Sequence, residues 1–334
     1  MHVLRKPYLL YLGDARLKSD CKTAFGLRDW CPADVLGEWS HPNGQVTLGL
    51  PRMSPAEAAA KGAGSIVIGV APTGGQLAEH WQGDLEAALE AGLDVVSGLH
   101  TRLGSFPRLC AAAQRRGVRL IDVRHPVRDF PVASGRKRSG RRVLTVGTDC
   151  ALGKKYTALA LTRALETVGV AATFRATGQT GILIAGSGIA MDALVADFLA
   201  GAAEMLSPDN RPDHWDVIEG QGSLYHPAYA AVTLGLLHGS QPDAIVLCHD
   251  PARTSIEEYP SYPIPPLGML AVLIAMALTP SHRTEFWTSL LSMSLALIAF
   301  VTFKWLPGRR RQSQTPKLAI EERAAQARPQ APRA

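Results

Sequence analysis

Short apolar runs alternate with helix-like stretches through residues 1–131. Residues 8–12, 65–70, 94–96 and 118–123 read as strands, and 55–61, 84–91 and 107–116 as the helices between them. Such alternation implies βαβ units, right-handed crossovers and an open, doubly wound parallel sheet. Ligands then gather at the carboxyl ends of the strands. A second α/β unit occupies residues 143–266, with strands at 143–146, 172–175, 217–218 and 244–247 and a helix from Tyr156. Met191, Leu194, Val195 and Phe198 recur at helical spacing and predict a helix over 191–205.

Between the units, residues 132–142 have no apolar period and carry Arg136, Lys137, Arg138, Arg141 and Arg142. They read as a solvated basic linker, with an arm reaching an anionic ligand as the alternative. After Pro266 the pattern changes. Residues 267–279 and 288–303 are nearly all apolar, broken by a polar stretch at 280–285. Each run is shorter than the ~20 residues of a full membrane span. Trp287, Lys304 and Trp305 flank the second run as interfacial anchors. An apolar helical hairpin over 267–306 is expected, either as a membrane segment or as buried core helices. Residues 307–334 read as a disordered basic tail.

Net charge is +6 and only 19% of residues are charged, which argues against a nucleic-acid partner. The five cysteines are scattered without a CxxC pair, so neither a zinc site nor a disulfide framework is indicated. The N-terminus lacks a signal-peptide pattern. A cytoplasmic enzyme is expected, a homo-oligomer, with a membrane tether if the hairpin serves as one.

The chemistry concentrates in the second unit. Gly147-Thr148-Asp149-Cys150-Ala151-Leu152-Gly153-Lys154 joins the strand at 143–146 to the following helix. Strand, glycine-bounded loop, lysine and helix make a phosphate cradle: backbone N–H groups hold oxyanions and lysine adds charge. The loop is one residue longer than the common G-x4-G-K form. Glu219 follows the later strand 217–218 and completes a nucleotide-type layout. Lys155 stands where a hydroxyl would hold magnesium, and Thr157 lies about 200° around the helix from it. Two adjacent lysines suit a dense anion. They suit a cofactor gripped by its phosphates but reacting elsewhere, such as coenzyme A, and no metal is expected.

The segments Gly147–Cys150 with Gly153-Lys154-Lys155, Ala176 to Ile184, Ile218 to Pro227 and Gly235 to Asp243 closely resemble the bacterial and archaeal family that includes D-glutamate N-acetyltransferase. The resemblance covers residues 1 to about 265 and is most specific in the middle third. It implies an N-terminal Rossmann-like parallel-sheet domain, a P-loop NTPase-like α/β domain, and acetyl transfer from acetyl-CoA to D-glutamate. The sequence departs from the family after Pro266. The P-loop half is also similar to dethiobiotin synthetase in Gly147 to Lys154, Thr180-Gly181 and Ile218 to Gly222. That resemblance implies the alternative, an ATP- and magnesium-dependent ligase or kinase.

Acetylating an amine requires a base for the ammonium proton and a polarised thioester carbonyl. Glu219 is the leading base, with orienting Lys154 or capping the Gly220 and Gly222 amides as rival roles. His226 and His249 are further bases. Thr177, Gln179 and Thr180 are expected to bind the substrate or the thioester oxygen, or else to form a turn network. Cys150 near a helix N-terminus is expected to have a lowered pKa, with simple loop packing as the alternative. Asp14, Lys18, Gly74, Gly75 and Arg102 sit where ligand groups gather in the first domain. An acidic amino acid needs at least one cationic side chain to meet it.

Overall fold

The first sheet begins with β1 (Tyr8–Tyr11), four residues that are all buried. After α1 (Lys22–Trp30) come β2 (Val35–Trp39), α2 (Pro55–Ala60), β3 (Ser65–Ile68), α3 (Gln82–Glu90), β4 (Asp94–Ser97), α4 (Pro107–Arg116) and β5 (Leu120–Asp122). The five strands are parallel in the order β2-β1-β3-β4-β5. Helices cover both faces, so β1, β3 and β4 are buried at every position rather than at alternate ones. The computed structural model describes residues 4–125, 129–269 and 274.

The second sheet is built from β6 (Arg141–Gly147), α5 (Lys154–Thr167), β7 (Ala172–Arg175), α6 (Gln179–Ala185), α7 (Leu199–Leu206), β8 (Trp215–Ile218), α8 (Ala230–Ser240) and β9 (Ala244–Cys248). Its four parallel strands lie in the order β7-β8-β6-β9. The chain order reverses around β6, so the loop leaving β6 opens at the switch point beside the end of β8. A short antiparallel pair, β10 (Ser255–Ile256) and β11 (Tyr259–Pro263), follows. The fold is thus α/β with a Rossmann-like first domain and a P-loop second domain.

Several expectations need correction. The predicted helix over 191–205 is two single 3-10 turns, Met191–Ala193 and Ala196–Phe198, before α7 begins at Leu199. Ile189 N–H donates to Ala176 O and Met191 N–H to Thr177 O, which holds this stretch extended against the end of β7. The basic stretch 132–142 is exposed at 132–137, 139 and 141, as expected of a solvated linker, but not at Arg138 and Arg142, and its last two residues belong to β6. Arg138 and Arg142 are buried. Arg138 donates to the carbonyls of Ser207, Gly239 and Ser240, where α7 and α8 end. Arg142 donates to Ser207 Oγ and to the carbonyls of Ser139 and Pro208. Cations at helix C-termini satisfy carbonyls that have no partner within the helix. Among the described residues no helix is long and apolar enough to cross a membrane. The expected hairpin at 267–306 lies outside the described residues except for 267–269 and 274.

The two domains share a core. Leu183 of α6 is buried with the first domain's cluster, and Ile182 and Ile184 pack against it. Thr23 and Thr180 hydrogen-bond across the seam at 2.9 Å. Buried Arg124 donates to Gly98 O at 2.7 Å and pairs with Asp192 of the second domain. The seam is therefore packed like an interior, and the described residues of both domains form one unit. Leu183→Ala should cost about 2–5 kcal/mol in one cooperative unfolding transition, read from the denaturant midpoint. An unchanged midpoint would mean that the seam contributes no stability.

Candidate active site

A cleft of about 630 Å³ lies between the domains, lined by the loop 150–156 and by Glu219, His226, Gln179 and Thr180. The first domain contributes Lys18, Lys22, Thr23 and Arg124. The loop has an unusual backbone. Ala151 has φ 50° and Gly153, the residue before α5, has φ 88°. Alternating-handed residues of this kind turn successive N–H groups to one side as an anion nest. No side chain caps α5, so its first-turn amides are left for a ligand. Lys154 Nζ donates to Asp149 O at 2.7 Å and lies across the loop. These features fit a phosphate group.

Behind the loop, Asp149 is wholly buried and acts as its anchor. Its Oδ1 accepts from Cys150 N–H at 2.7 Å, and its Oδ2 accepts from Arg253 Nη1 at 2.9 Å and Glu257 N–H at 2.7 Å. Thr148 Oγ1 pairs with His249 Nδ1 at 3.0 Å. Gly147, Thr148 and Asp149 therefore shape the loop from behind, and only Cys150, Gly153, Lys154 and Lys155 of the expected set line the cleft. His249 is exposed and not among the lining residues. One ligand-type atom each of Asp149, Cys150 and His226 fall within 4.8 Å of one another. Arg253 already neutralises Asp149, which makes this trio a poor cation site.

Glu219 is the most constrained group. Its Oε2 accepts from Thr177 N–H at 2.8 Å and Gly178 N–H at 3.1 Å, the amides that open α6. Burial pushes its carboxyl above the usual range, opposed by those amides and by the nearby Lys155 charge. Gly181 makes the approach feasible, since a Cβ there would lie 2.2 Å from Glu219 Oε2. Thr177 donates its hydroxyl to Glu219 O at 2.7 Å and is wholly buried, so it braces Glu219 and does not line the cleft. The amide of Gln179 joins the domain seam, its nitrogen donating to Gly98 O at 2.6 Å and its oxygen accepting from Arg124 at 3.0 Å. Thr180 meets Thr23 as described. The expected substrate-binding trio is thus spent on structure, although Gln179 and Thr180 still border the cleft.

His226 is buried, stacked on Tyr229 at 4.6 Å between ring centroids. Its Nδ1 accepts from Ala228 N–H at 3.2 Å. The expected lowering of the Cys150 pKa is reversed: burial pushes the thiol up to about 11, against the pull of Lys154. Lys155 goes the other way. Burial lowers its amine to about 8, with Glu219 opposing and Lys22 adding to the fall.

Several lining residues escaped the sequence reading: Lys22, Phe25, Arg124, Asp192, Glu257 and Glu258. Lys22 sits four residues after Lys18, and that spacing was the available signal. Glu257 and Glu258 reach the cleft through a turn in which Glu258 has φ 66°. The anion arm weighed as the alternative for 136–142 is not among the lining residues: Arg138 and Arg142 face the ends of α7 and α8, Arg136 pairs with Asp209, Lys137 with Asp243, and Arg141 lies over Trp215.

Residues 131–294 match the family model described as a domain of unknown function (DUF1611_C), P-loop domain. Residues 37–126 match the one described as DUF1611_N, Rossmann-like domain. The chain is 51% identical over 268 residues to a Tritonibacter scottomollicae protein named D-glutamate N-acetyltransferase, covering 80% of each. It is 50% identical over 251 residues to a Pseudoalteromonas protein of the same name, covering 75% of this chain and 76% of the other. The crystal structure of a DUF1611 family protein from Anabaena variabilis superposes with a TM-score of 0.73 at 36% identity, covering 81% of this chain and 82% of that one.

The two perturbed side chains can be told apart by chemical labelling. Lys155 should react with an amine acylating reagent with a midpoint near pH 8, since the deprotonated amine is the nucleophile and burial favours that form. Cys150 should stay unreactive to iodoacetamide at neutral pH, because its thiol ionises only near 11. Peptide mass spectrometry after pulse labelling reads both. A Lys155 midpoint near that of exposed lysines would contradict its burial in the cleft.

Proposed function

The chain belongs to the DUF1611 family, and from that premise we propose that it moves an acetyl group from acetyl-CoA to the amino group of D-glutamate. Support comes from the names of its relatives and from one juxtaposition: a phosphate cradle and a buried carboxylate share a single cleft. In this reading the amides of 151–155, with Lys154, hold the cofactor pyrophosphate. The thioester supplies the acetyl group.

The chain's own groups then manage protons and position. Glu219 accepts the proton that the substrate ammonium loses before attack. Its raised pKa suits that task, because a base is most effective when its pKa approaches the working pH. The α6 amides fix Oε2 and leave the second oxygen to face the substrate. Since His226 Nδ1 accepts a backbone N–H, its neutral ring carries the proton on Nε2. His226 therefore offers the cleft a donor, suited to a carbonyl oxygen, rather than a second base. Cys150, held as a thiol, packs the loop and does not carry the acyl group.

Lys155 at the position that would hold magnesium weighs against the ATP-dependent ligase reading. The purified chain with acetyl-CoA and D-glutamate should release free coenzyme A thiol and N-acetylglutamate. Tight ATP–magnesium binding with no response to acetyl-CoA would overturn the assignment. Lys154→Ala should weaken acetyl-CoA binding about 10-fold or more by calorimetry. Glu219→Gln should lower kcat by roughly 10²–10⁴ while acetyl-CoA affinity holds. Equal loss of both would make Glu219 a scaffold alone.

A further inference from the structure

The amine of Lys155 crosses the seam and rests over α1 of the first domain. A Cβ built on Gly26 would lie 3.4 Å from Lys155 Nζ and 2.6 Å from Thr180 Cγ2. Only a residue without a side chain leaves that space. Lys22 is four residues before Gly26, so it stands on the same face of α1, one turn away. Lys18 precedes it by another four residues, in the 3-10 turn Lys18–Cys21. All three lysines border the cleft.

These cations are poorly matched inside the protein. Among the described residues, Lys18 and Lys155 have no ion pair, and Lys22 reaches Glu257 Oε1 only at 3.7 Å. Lys155 makes a ring contact with Tyr156, 4.5 Å from Nζ to centroid, and Tyr156 in turn stacks on Trp30. That packing holds the side chain in place, and Glu219 is the leading opposite charge acting on it. Burial lowers the Lys155 amine, Glu219 opposes that fall, and repulsion from Lys22 adds to it. An anion placed between them would relieve both. Meanwhile Lys154 is committed to the loop carbonyl of Asp149, which separates it from this group.

We propose that Lys22 and Lys155, brought together over Gly26 from the two domains, form the pocket for the side-chain carboxylate of the acidic amino acid. The inference rests on the acetyl-transfer reading and deepens it by naming what selects an acidic substrate over its amide. Lys18, at the exposed rim, steers the anion inward. Glu219 lines the same cleft and meets the other, cationic end of the substrate. A neutral side-chain amide would leave the two ammonium groups with only Glu219 and Glu257 opposing them and should bind more weakly.

The test compares D-glutamate with D-glutamine on the wild-type chain and on Lys22→Met. The wild type should prefer D-glutamate, and Lys22→Met should erase that preference about 10-fold or more through KM for D-glutamate, with acetyl-CoA affinity kept. Acylation of Lys155 near pH 8 should be suppressed by D-glutamate and not by D-glutamine, because a bound carboxylate holds the amine protonated. A Lys22→Met variant with an unaltered D-glutamate to D-glutamine ratio overturns the pocket while leaving the acetyl-transfer reading standing. A selective loss of acetyl-CoA affinity in Lys22→Met also overturns it, by assigning Lys22 to the cofactor. Absence of acetylation by the wild type overturns both.

Discussion

A single carboxylate, Glu219, is buried at the N-terminus of α6, and the site takes its shape from how that burial is tolerated. An isolated ionised group in an apolar interior is very costly, so it either protonates or finds donors. Glu219 finds donors. The Thr177 and Gly178 amides just before α6 and the Lys155 charge favour the anion, while desolvation still raises the pKa. The other end of α6 is wedged by Leu183 into the first domain's core. One seven-residue helix thus ties the carboxylate to both domains.

The charges of the cleft divide along the same line. Lys154 serves the phosphate loop, and Lys155, one residue on, points across the seam toward α1. On the acetyl-transfer reading, this splits the cradle from the acceptor end, so the P-loop holds a cofactor without acting on its phosphates. The Arg124–Asp192 pair and the Thr23–Thr180 bond close the seam beside the cleft. Such contacts position groups by rigidity, which is where much of the barrier reduction in a two-substrate reaction arises.

The parallel sheets were legible because β1 and the apolar centres of β3 and β4, Ile66–Ile68 and Val95-Val96, recur between helix-like stretches, and the loop was legible because its glycines and lysines follow a strand. What stayed hidden depended on distant partners. β2 was missed because Glu38 interrupts its apolar pattern. The buried carboxylate is satisfied by Thr47 Oγ1 at 2.5 Å and Leu48 N–H at 2.6 Å from the following loop. α6 was missed because Ile182, Ile184 and Gly181 are poor helix formers, and packing in the other domain overrides that preference. The 191–205 stretch has a helical apolar period, yet its backbone is engaged with the end of β7. Arg138 and Arg142 looked solvated because the carbonyls they bind lie at the ends of two helices far along the chain. In the site, Glu219 was identified by its place after a strand, whereas Thr177 and Gln179 were drawn into bracing that only the fold reveals.

The central claim is that Glu219 stays buried, with its pKa displaced upward by desolvation that two amides offset only in part. A pH titration of the glutamate side-chain carboxyl carbons by ¹³C NMR, with Glu219 assigned by its loss in Glu219→Gln, measures this directly. The account predicts a midpoint for Glu219 above the ordinary 4.5. A midpoint at or below that value would mean that the helix amides dominate, and that this carboxylate is a fixed anion rather than a group poised to take a proton.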